Sequence, residues 1–160
     1  MPPIVSFIGF HDSGKTTLAS QVVAHLKERG YRLAVVKSTK ERGLVFDQAG
    51  TDTAIHRRAG ADAVALIAPD QLVMFANPPT IDLKEFAERF FPDMDIVIAE
   101  GFKDAQHIAK IEVYAGHGPR LQDRVPGVIA VVSDEPDLDG RCFGRHESKK
   151  VADFIVERFL

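Results

Sequence analysis

The sequence predicts an α/β fold with three layers, in which a mostly parallel sheet is covered by helices. Three observations predict it. Residues 9–17 read Gly-Phe-His-Asp-Ser-Gly-Lys-Thr-Thr and match a Walker A phosphate loop. Short apolar runs alternate with helical patterns, and several of these runs are continuously apolar, which is typical of strands in a parallel sheet. One pair of runs is separated by too few residues for a helical connection and predicts an antiparallel hairpin.

The elements around the phosphate loop follow in the order that such a loop requires. The apolar run Ile4–Ile8 precedes it and predicts a buried strand. After the loop, Leu18, Val22 and Leu26 recur at helical spacing, and Gly30 is placed to end that helix. Because a helix N-terminus offers free N–H groups and a favourable dipole, this order supports anion binding.

The rest of the chain predicts further strands, helices and loops. The hairpin is predicted around Pro69-Asp70, and two segments without clear periodicity, residues 41–50 and 104–110, are predicted to be mobile loops. Strands are predicted at Leu33–Val36, Ala63–Ile67, Leu72–Phe75, Ile96–Ala99, Ile111–Tyr114 and Val128–Val132. Helices are predicted at Asp52–Ala59, at Leu83–Phe91 after an Asp82 cap, and from Ser148 with an apolar stripe of Val151, Phe154, Ile155 and Phe159.

Length and composition limit the possible classes of protein. A chain of 160 residues predicts a single domain, and the Walker A loop predicts that this domain, residues 1–160, is a P-loop nucleotide-binding domain of the NTPase type. The net charge of −3 gives no basic field for nucleic acid, and no apolar stretch is long enough to span a membrane. One cysteine, Cys142, and the lack of a signal peptide favour a reducing cytoplasm. The six histidines show no zinc-ligand spacing, so no structural zinc is expected.

Each residue type in the phosphate loop has a distinct predicted role. Gly9 and Gly14 allow the backbone to wrap closely around phosphate, so that successive N–H groups point inward. Lys15 brings a charge to the β- and γ-phosphates, and Thr16 brings a hydroxyl to Mg²⁺. His11 is expected to act through its backbone rather than its ring. The predicted nucleotide-binding residues of the loop are Gly9, His11, Asp12, Ser13, Gly14, Lys15, Thr16 and Thr17.

A carboxylate is also needed near the metal, and Glu100 is the best candidate. It follows the strand Ile96–Ala99 and precedes Gly101, and the carboxyl ends of parallel strands face the ligand crevice. The alternative is a solvated residue at a strand end. Lys15 and Glu100 are therefore the candidate catalytic residues, and Thr16 and Glu100 are candidate metal ligands.

Several other charged residues have open alternatives. Asp47 and Asp52 flank a glycine turn and could order a switch loop, with Asp52 as a third metal ligand, or Asp52 or Thr51 could simply cap a helix. Arg57 and Arg58 could meet phosphate or form a solvated helix face.

Three further residues lie at or near strand ends. Lys37, at the carboxyl end of the second strand, could touch an anionic ligand or be a plain surface lysine, and Lys103 could approach a second anion or a partner. Asp134 follows the last apolar strand, where a carboxylate could accept hydrogen bonds from guanine N1–H and its 2-amino group. The alternative for Asp134 is a turn residue before Pro136.

These residues together resemble the molybdopterin-guanine dinucleotide biosynthesis protein B family, MobB. Beyond the Walker A loop, the resemblance is carried by two blocks, Asp47-x-x-Gly50-x-Asp52-Thr53 and Asp95-Ile-Val-Ile-Ala-Glu100-Gly101-Phe102-Lys103, and it spans nearly the whole chain. Lys110–Val113 and Val132–Asp134 also look like the family. One departure is that family members often carry histidines just after the second strand, where this chain reads Lys37-Ser38-Thr39-Lys40.

The resemblance implies a homodimer that binds GTP and Mg²⁺ and hydrolyses GTP weakly at most. It implies an accessory role beside the guanylyltransferase that joins GMP to molybdopterin. An alternative from another class is a small-molecule kinase with Asp47 or Asp52 as base and Arg57 or Arg58 as phosphate clamps. A third is an interaction module in which nucleotide only orders a docking surface.

Overall fold

The computed structural model describes residues 1–135 and 141–160, which fall into two compact units. The main unit contains Met1–Thr39 and Asp82–Leu160, and the hairpin unit contains Lys40–Ile81. The elements in chain order are β1 Ile4–Ile8, α1 Lys15–Glu28, β2 Leu33–Lys37, α2 Asp52–Arg58, β3 Ala63–Ile67, β4 Leu72–Ala76, α3 Leu83–Phe90, β5 Ile96–Glu100, β6 Ala109–Val113, β7 Val128–Val132, β8 Cys142–Phe143 and α4 Ser148–Phe159.

The main unit is a parallel sheet of six strands in the order β2-β5-β1-β6-β7-β8. Alternate residues of a strand point to opposite faces, and β5 shows this directly. Ile96 and Ile98 pack with α1 and α4, whereas Val97 and Ala99 pack with Leu83 and other residues of the α3 side. The sheet therefore lies between two helical layers, which confirms the predicted α/β fold.

Two buried charged residues on β6 anchor loops of the main unit. The Lys110 side chain is fully buried, and its ammonium donates to the main-chain oxygens of Ala105 at 2.7 Å and Pro126 at 2.9 Å. The buried Glu112 carboxylate accepts from the main-chain N–H groups of residues 121–122 at 2.7 and 2.8 Å. Because buried charges are costly without partners, these bonds let charged side chains fix loop positions inside the fold.

The hairpin unit joins the short helix α2 to the two-stranded antiparallel sheet of β3 and β4. The register pairs Ala63 with Ala76 and Ile67 with Leu72. This confirms the antiparallel hairpin that the short connection around Pro69 predicts. Many apolar side chains of this unit face solvent, including Leu44, Val45, Phe46, Ile55, Leu66, Ile67, Leu72 and Met74.

Most predicted elements are confirmed with bounds that shift by a few residues. The Asp82 carboxylate accepts from the Glu85 N–H at 2.9 Å, which confirms the predicted cap of α3. The prediction of a loop over residues 104–110 is wrong at its end, because Ala109 and Lys110 belong to β6. The two-residue strand β8 was not predicted, since Cys142–Phe143 is too short to show a pattern. The single-domain expectation stays a prediction.

Candidate functional site

The carboxyl ends of the parallel strands collect the candidate residues of the main unit. The phosphate loop follows β1. On one side of β1 the sheet continues to β5 and β2, and on the other side it continues to β6, β7 and β8, so the direction of the connections reverses beside β1. Glu100 is the last residue of β5, and Asp134 comes two residues after β7. In open α/β sheets, ligands bind in the crevice at this edge and at this kind of switch point. The topology therefore brings these residues to the same edge of the sheet, as the sequence predicts.

The phosphate loop is held in a conformation that needs glycine at two positions. A Cβ at Gly9 would lie 2.5 Å from the Val113 carbonyl oxygen, so only glycine fits there. Gly14 precedes α1 with φ of 90°, in the left-handed region. Asp12 also has a positive φ, 56°, a conformation that aspartate tolerates better than most residues. These backbone angles give residues 9–14 the tight bend that a phosphate loop requires.

The Lys15 ammonium folds back onto the loop. It donates to the Phe10 carbonyl oxygen at 2.5 Å and lies 3.4 Å from the Ser13 hydroxyl. Burial lowers the pKa of Lys15, and the nearby Lys37 charge adds to this, while Glu100 opposes it. Both of these partners are neutral oxygens, so a phosphate on this loop would give the ammonium a negatively charged partner.

Thr16, Lys37 and Glu100 meet at the start of α1. Thr16 Oγ1 donates to Glu100 Oε1 at 2.6 Å, and Lys37 Nζ donates to the same oxygen at 2.9 Å. The pairing of β2 with β5 brings this about, because it sets Lys37 directly opposite Glu100. Glu100 is only 7% exposed, so it is not the solvated strand-end residue of the alternative interpretation.

The Glu100 carboxylate is held in its charged form. Burial is the largest single influence and favours the neutral acid, but the hydrogen bonds from Thr16 and Lys37 and the charges of Lys37 and Lys15 outweigh it. Together they lower the pKa of Glu100 below its ordinary value. An ionised carboxylate beside a threonine hydroxyl is an all-oxygen donor pair, which suits Mg²⁺ when phosphates and waters complete its coordination.

Ser38 occupies the position after Lys37 where the resembling family often has histidine. Its hydroxyl accepts from the Phe102 N–H at 3.3 Å and lies 3.4 Å from the Glu100 carbonyl oxygen. A Cβ at Gly101 would come within 2.2 Å of the Ser38 hydroxyl, so the two segments approach very closely. Ser38 therefore ties the end of β2 to the turn that carries Glu100.

Asp134 lines a small cavity after β6 and β7. The cavity has a volume of about 190 Å³ and is lined by Tyr114, Ala115, Gly116, Ser133, Asp134, Glu135 and Arg145. Asp134 is exposed, and its Oδ1 accepts from the Arg145 main-chain N–H at 3.0 Å. One carboxylate oxygen is thus oriented by the backbone, and the role of Asp134 as a base reader stays a prediction.

The acidic block of the hairpin unit forms a network of its own. Asp47 accepts from the hydroxyls of Thr51 at 2.7 Å and Thr53 at 2.8 Å, and these hydrogen bonds lower its pKa. Thr51 caps α2 by accepting from the Ala54 N–H. Asp52 is exposed at the first residue of the helix, so the cap is Thr51, and the metal role of Asp52 stays a prediction.

The two arginines of α2 differ in their contacts. The Arg57 guanidinium lies 3.9 Å from the Asp47 carboxylate and 4.5 Å from the centre of the Phe75 ring. Arg57 is therefore engaged within the hairpin unit rather than being a plain solvated residue. Arg58 lines, with Arg57 and Asp47, an open cavity of about 660 Å³.

Arg145 was not predicted from the sequence as a site residue, but the fold brings its side chain to the phosphate loop. Its guanidinium donates to the Ser13 carbonyl oxygen across more than 100 positions of sequence. No motif surrounds it, so only the three-dimensional contact could find it. By contrast, the side chains of His11 and Asp12 are 97% and 88% exposed, so the backbone of these residues is the part that lines the loop. Lys103 is exposed as well.

A comparison with known families decides the relationship. The sequence model of MobB, described as molybdopterin guanine dinucleotide synthesis protein B, matches residues 4–134. The chain belongs to the MobB family. It is 32% identical to the molybdopterin-guanine dinucleotide biosynthesis adapter protein of Escherichia coli K12, over 98% of this chain and 93% of that protein. The adapter protein of Haemophilus influenzae is 28% identical, over 96% of this chain and 87% of that protein.

Solved MobB structures share the fold. The crystal structure of molybdopterin-guanine biosynthesis protein B superposes with a TM-score of 0.78 at 31% identity, over 96% of this chain and 98% of that one. Bacillus subtilis MobB superposes with a TM-score of 0.77 over 99% and 98% of the two chains, and at 24% identity this supports the fold alone. The family assignment confirms the resemblance that the Walker A loop and the two acidic blocks indicate.

The described part of the chain lacks two features of other classes of protein. In residues 1–135 and 141–160, no helix has the length and apolar character needed to cross a bilayer. The same part of the chain has no group of three His, Cys, Asp or Glu side chains that could hold a metal. A P-loop magnesium site does not need such a group, because it uses one hydroxyl, one carboxylate, phosphates and water.

Proposed function

We propose that this MobB-family chain is an adapter protein of molybdopterin guanine dinucleotide synthesis that binds Mg-GTP on residues 9–17. The observation that carries the proposal is the 2.6 Å contact between Thr16 Oγ1 and Glu100 Oε1 beside the preformed loop. A hydroxyl and an ionised carboxylate at the start of α1 are the two protein groups that a magnesium-nucleotide complex requires. The family's description supplies the pathway, and the loop supplies the ligand class.

Different residues of the site would bind the metal and the phosphates. Thr16 and Glu100 would hold Mg²⁺, and bound Mg²⁺ would neutralise charge on the β- and γ-phosphates. Lys15 would exchange its contact with the Phe10 carbonyl oxygen for a phosphate oxygen, and the N–H groups of the loop and of the first turn of α1 would donate to other phosphate oxygens. Lys37 adds a second positive charge beside Glu100, so it contributes to the anion site rather than being a plain surface lysine.

Hydrolysis by this arrangement is expected to be slow. Glu100 accepts from both Thr16 and Lys37, and its pKa is lowered, so it is a poor base for activating water. Asp47 is likewise occupied by two threonine hydroxyls and has a lowered pKa, which argues against its use as the base of a small-molecule kinase. These features favour a protein whose nucleotide is bound for assembly or delivery.

Guanine selectivity is assigned to Asp134. A carboxylate at the end of β7 can accept from both guanine N1–H and the 2-amino group, whereas adenine offers no such donor pair. A titration calorimeter should therefore measure Mg-GTP binding about 10- to 100-fold tighter than Mg-ATP. Asp134→Asn should weaken GTP by a similar factor and strengthen binding of xanthosine triphosphate, whose C2 oxygen accepts from an amide.

The matched control for this test is Asp123→Asn, which neutralises an exposed aspartate elsewhere in the main unit. It should bind both nucleotides as the wild type does. Equal binding of GTP and ATP by the wild type would contradict the guanine assignment. Loss of Mg²⁺ dependence would contradict the roles of Thr16 and Glu100.

We further propose that the hairpin unit is the dimerisation surface. Its β-sheet has only two strands, and Ile67 and Leu72 are 81% and 66% exposed. Such a sheet is marginal alone, and pairing its edge with that of a second copy would cover apolar surface and satisfy edge N–H and C=O groups. The guanylyltransferase of the same pathway is the proposed partner of the assembled protein. The exposed Cys142 fits a cytoplasmic location.

A further inference from the structure

Arg145 lies between two cavities at the ligand edge of the main unit. One is the cavity of about 190 Å³ that contains Asp134. The other, of about 210 Å³, is lined by Gly14, Thr17, Leu18, Gln21, Val113, Val132 and Arg145. The second cavity begins at the phosphate loop and the first turn of α1, and both cavities share Arg145 as a lining residue. If the phosphates of a nucleotide lie on residues 9–17 and its base reaches Asp134, the nucleotide would therefore lie beside Arg145.

The two ends of Arg145 are held by different partners. Its main-chain N–H donates to Asp134 Oδ1 at 3.0 Å, which fixes the carboxylate proposed to read the base edge. Its guanidinium donates to the Ser13 carbonyl oxygen and comes so close to Gly14 that a Cβ there would lie 2.7 Å from Nη2. The side chain thus bridges the phosphate loop and the segment beyond β8.

The shape of the guanidinium determines what it can still do in this position. Its N–H groups lie in the plane of the group, so the bond to Ser13 uses one edge and does not use either planar face. Guanidinium faces stack on aromatic rings, and purines present such a ring. Lysines already serve the phosphate end, where Lys15 and Lys37 lie. The hydrogen bond of the Arg145 side chain to Ser13 therefore leaves its planar faces available for stacking.

We propose that Arg145 covers one face of the purine of the bound nucleotide while Asp134 reads the edge of the same base. This inference rests on the proposed function, since it assumes that a nucleotide occupies the phosphate loop. It assigns to one residue both the orientation of the base-reading carboxylate, through its backbone, and the stacking of the base, through its side chain. Stacking is tolerant of base identity, so Arg145 supplies affinity and Asp134 supplies selectivity.

The test compares ligands with and without a base in a titration calorimeter, using the full-length protein. Arg145→Ala should weaken Mg-GTP binding by about 10-fold, the size expected for one stacked cation. It should leave binding of Mg-tripolyphosphate unchanged, because that probe has no base. Arg145→Lys keeps the charge but loses the planar face, so it should weaken GTP nearly as much as alanine does.

Arg141→Ala is the matched control, because its guanidinium lies over the Phe154 ring at 4.9 Å, and Arg141 lines neither cavity. It should bind GTP as the wild type does. Equal weakening of GTP and tripolyphosphate by Arg145→Ala, or full rescue by Arg145→Lys, would show that the Arg145 charge acts at the phosphate end and would overturn the stacking role. Unchanged GTP binding in Arg145→Ala would also overturn it. A wild-type protein that binds neither probe would overturn the proposed function itself.

Discussion

The main unit and the hairpin unit differ in how far they bury their apolar and charged side chains. In the main unit, even the buried charges of Lys110 and Glu112 are fully hydrogen-bonded, and the apolar residues of the sheet are covered by helices. In the hairpin unit, Ile67 and Leu72 are left largely exposed. The first arrangement packs the elements that carry the proposed ligand site closely together. The second leaves apolar surface that a partner molecule can cover.

The same contrast appears in how each unit uses carboxylates. Glu100 lies at a strand end, where its carboxylate accepts from Lys37 and Thr16 and is the proposed ligand of Mg²⁺. Asp47 accepts from two threonine hydroxyls at the start of α2, so its charge serves the local structure. The two acidic blocks therefore differ in the partners of their carboxylates, and only Glu100 is proposed to bind a ligand.

The largest expected effect tests the main unit through Lys15→Ala. Removing the ammonium should weaken Mg-GTP binding by more than about 100-fold, because charge-assisted contacts to phosphate are lost. Titration calorimetry measures this, and sedimentation equilibrium should show that the proposed dimer is unaffected. Lys149→Ala, which removes an exposed lysine of α4, is the control and should bind normally. GTP binding that survives Lys15→Ala would contradict the phosphate-loop assignment.

The converse prediction tests the hairpin unit through Ile67→Asp. A charge placed at this 81% exposed position should weaken dimerisation by about 100-fold, because the dimer would have to bury it. Sedimentation equilibrium measures the dissociation constant, and GTP affinity of the resulting monomer should stay within about twofold of the wild type.

Gln106→Asp is the control, because it adds the same charge at an exposed position of the main unit. It should dimerise as the wild type does. A dimer that tolerates Ile67→Asp would move the interface to another surface. A monomer that no longer binds GTP would contradict the assignment of nucleotide binding and dimerisation to separate units, since it would show that assembly completes the nucleotide site.

The sequence predicts the main unit better than it predicts the contacts within the site. Residues 9–17 carry a local pattern whose geometry depends on its own glycines, so the loop and α1 could be predicted directly. Glu100 could be predicted because the end of a parallel strand has a known place. The Lys37–Glu100 contact depends on the pairing of β2 with β5, and the Arg145–Ser13 contact depends on the complete sheet. Neither dependence leaves a signal in a single sequence.

The smallest expected effect concerns the pH dependence of stability through Glu100→Gln. The pKa of Glu100 is lowered in the folded protein, mainly because hydrogen bonds from Thr16 and Lys37 overcome the opposing effect of burial. The stabilisation from the charged carboxylate is therefore fully present above the unfolded-state pKa of about 4.3. It is lost as pH falls through the lower folded-state pKa, where wild type and variant become alike.

Urea unfolding at several pH values between 7 and 3 measures this difference. The variant keeps the shape of the side chain and should be less stable than the wild type by about 1.5 kcal/mol at pH 7, which is the scale of a hydrogen bond to a charged group. The gap should close as the pH falls below 4. A gap that stays constant with pH would show that Thr16 and Lys37 do not depend on the charge of Glu100. In that case the carboxylate would act only as a hydrogen-bond acceptor, rather than as a charge held ready for a cation.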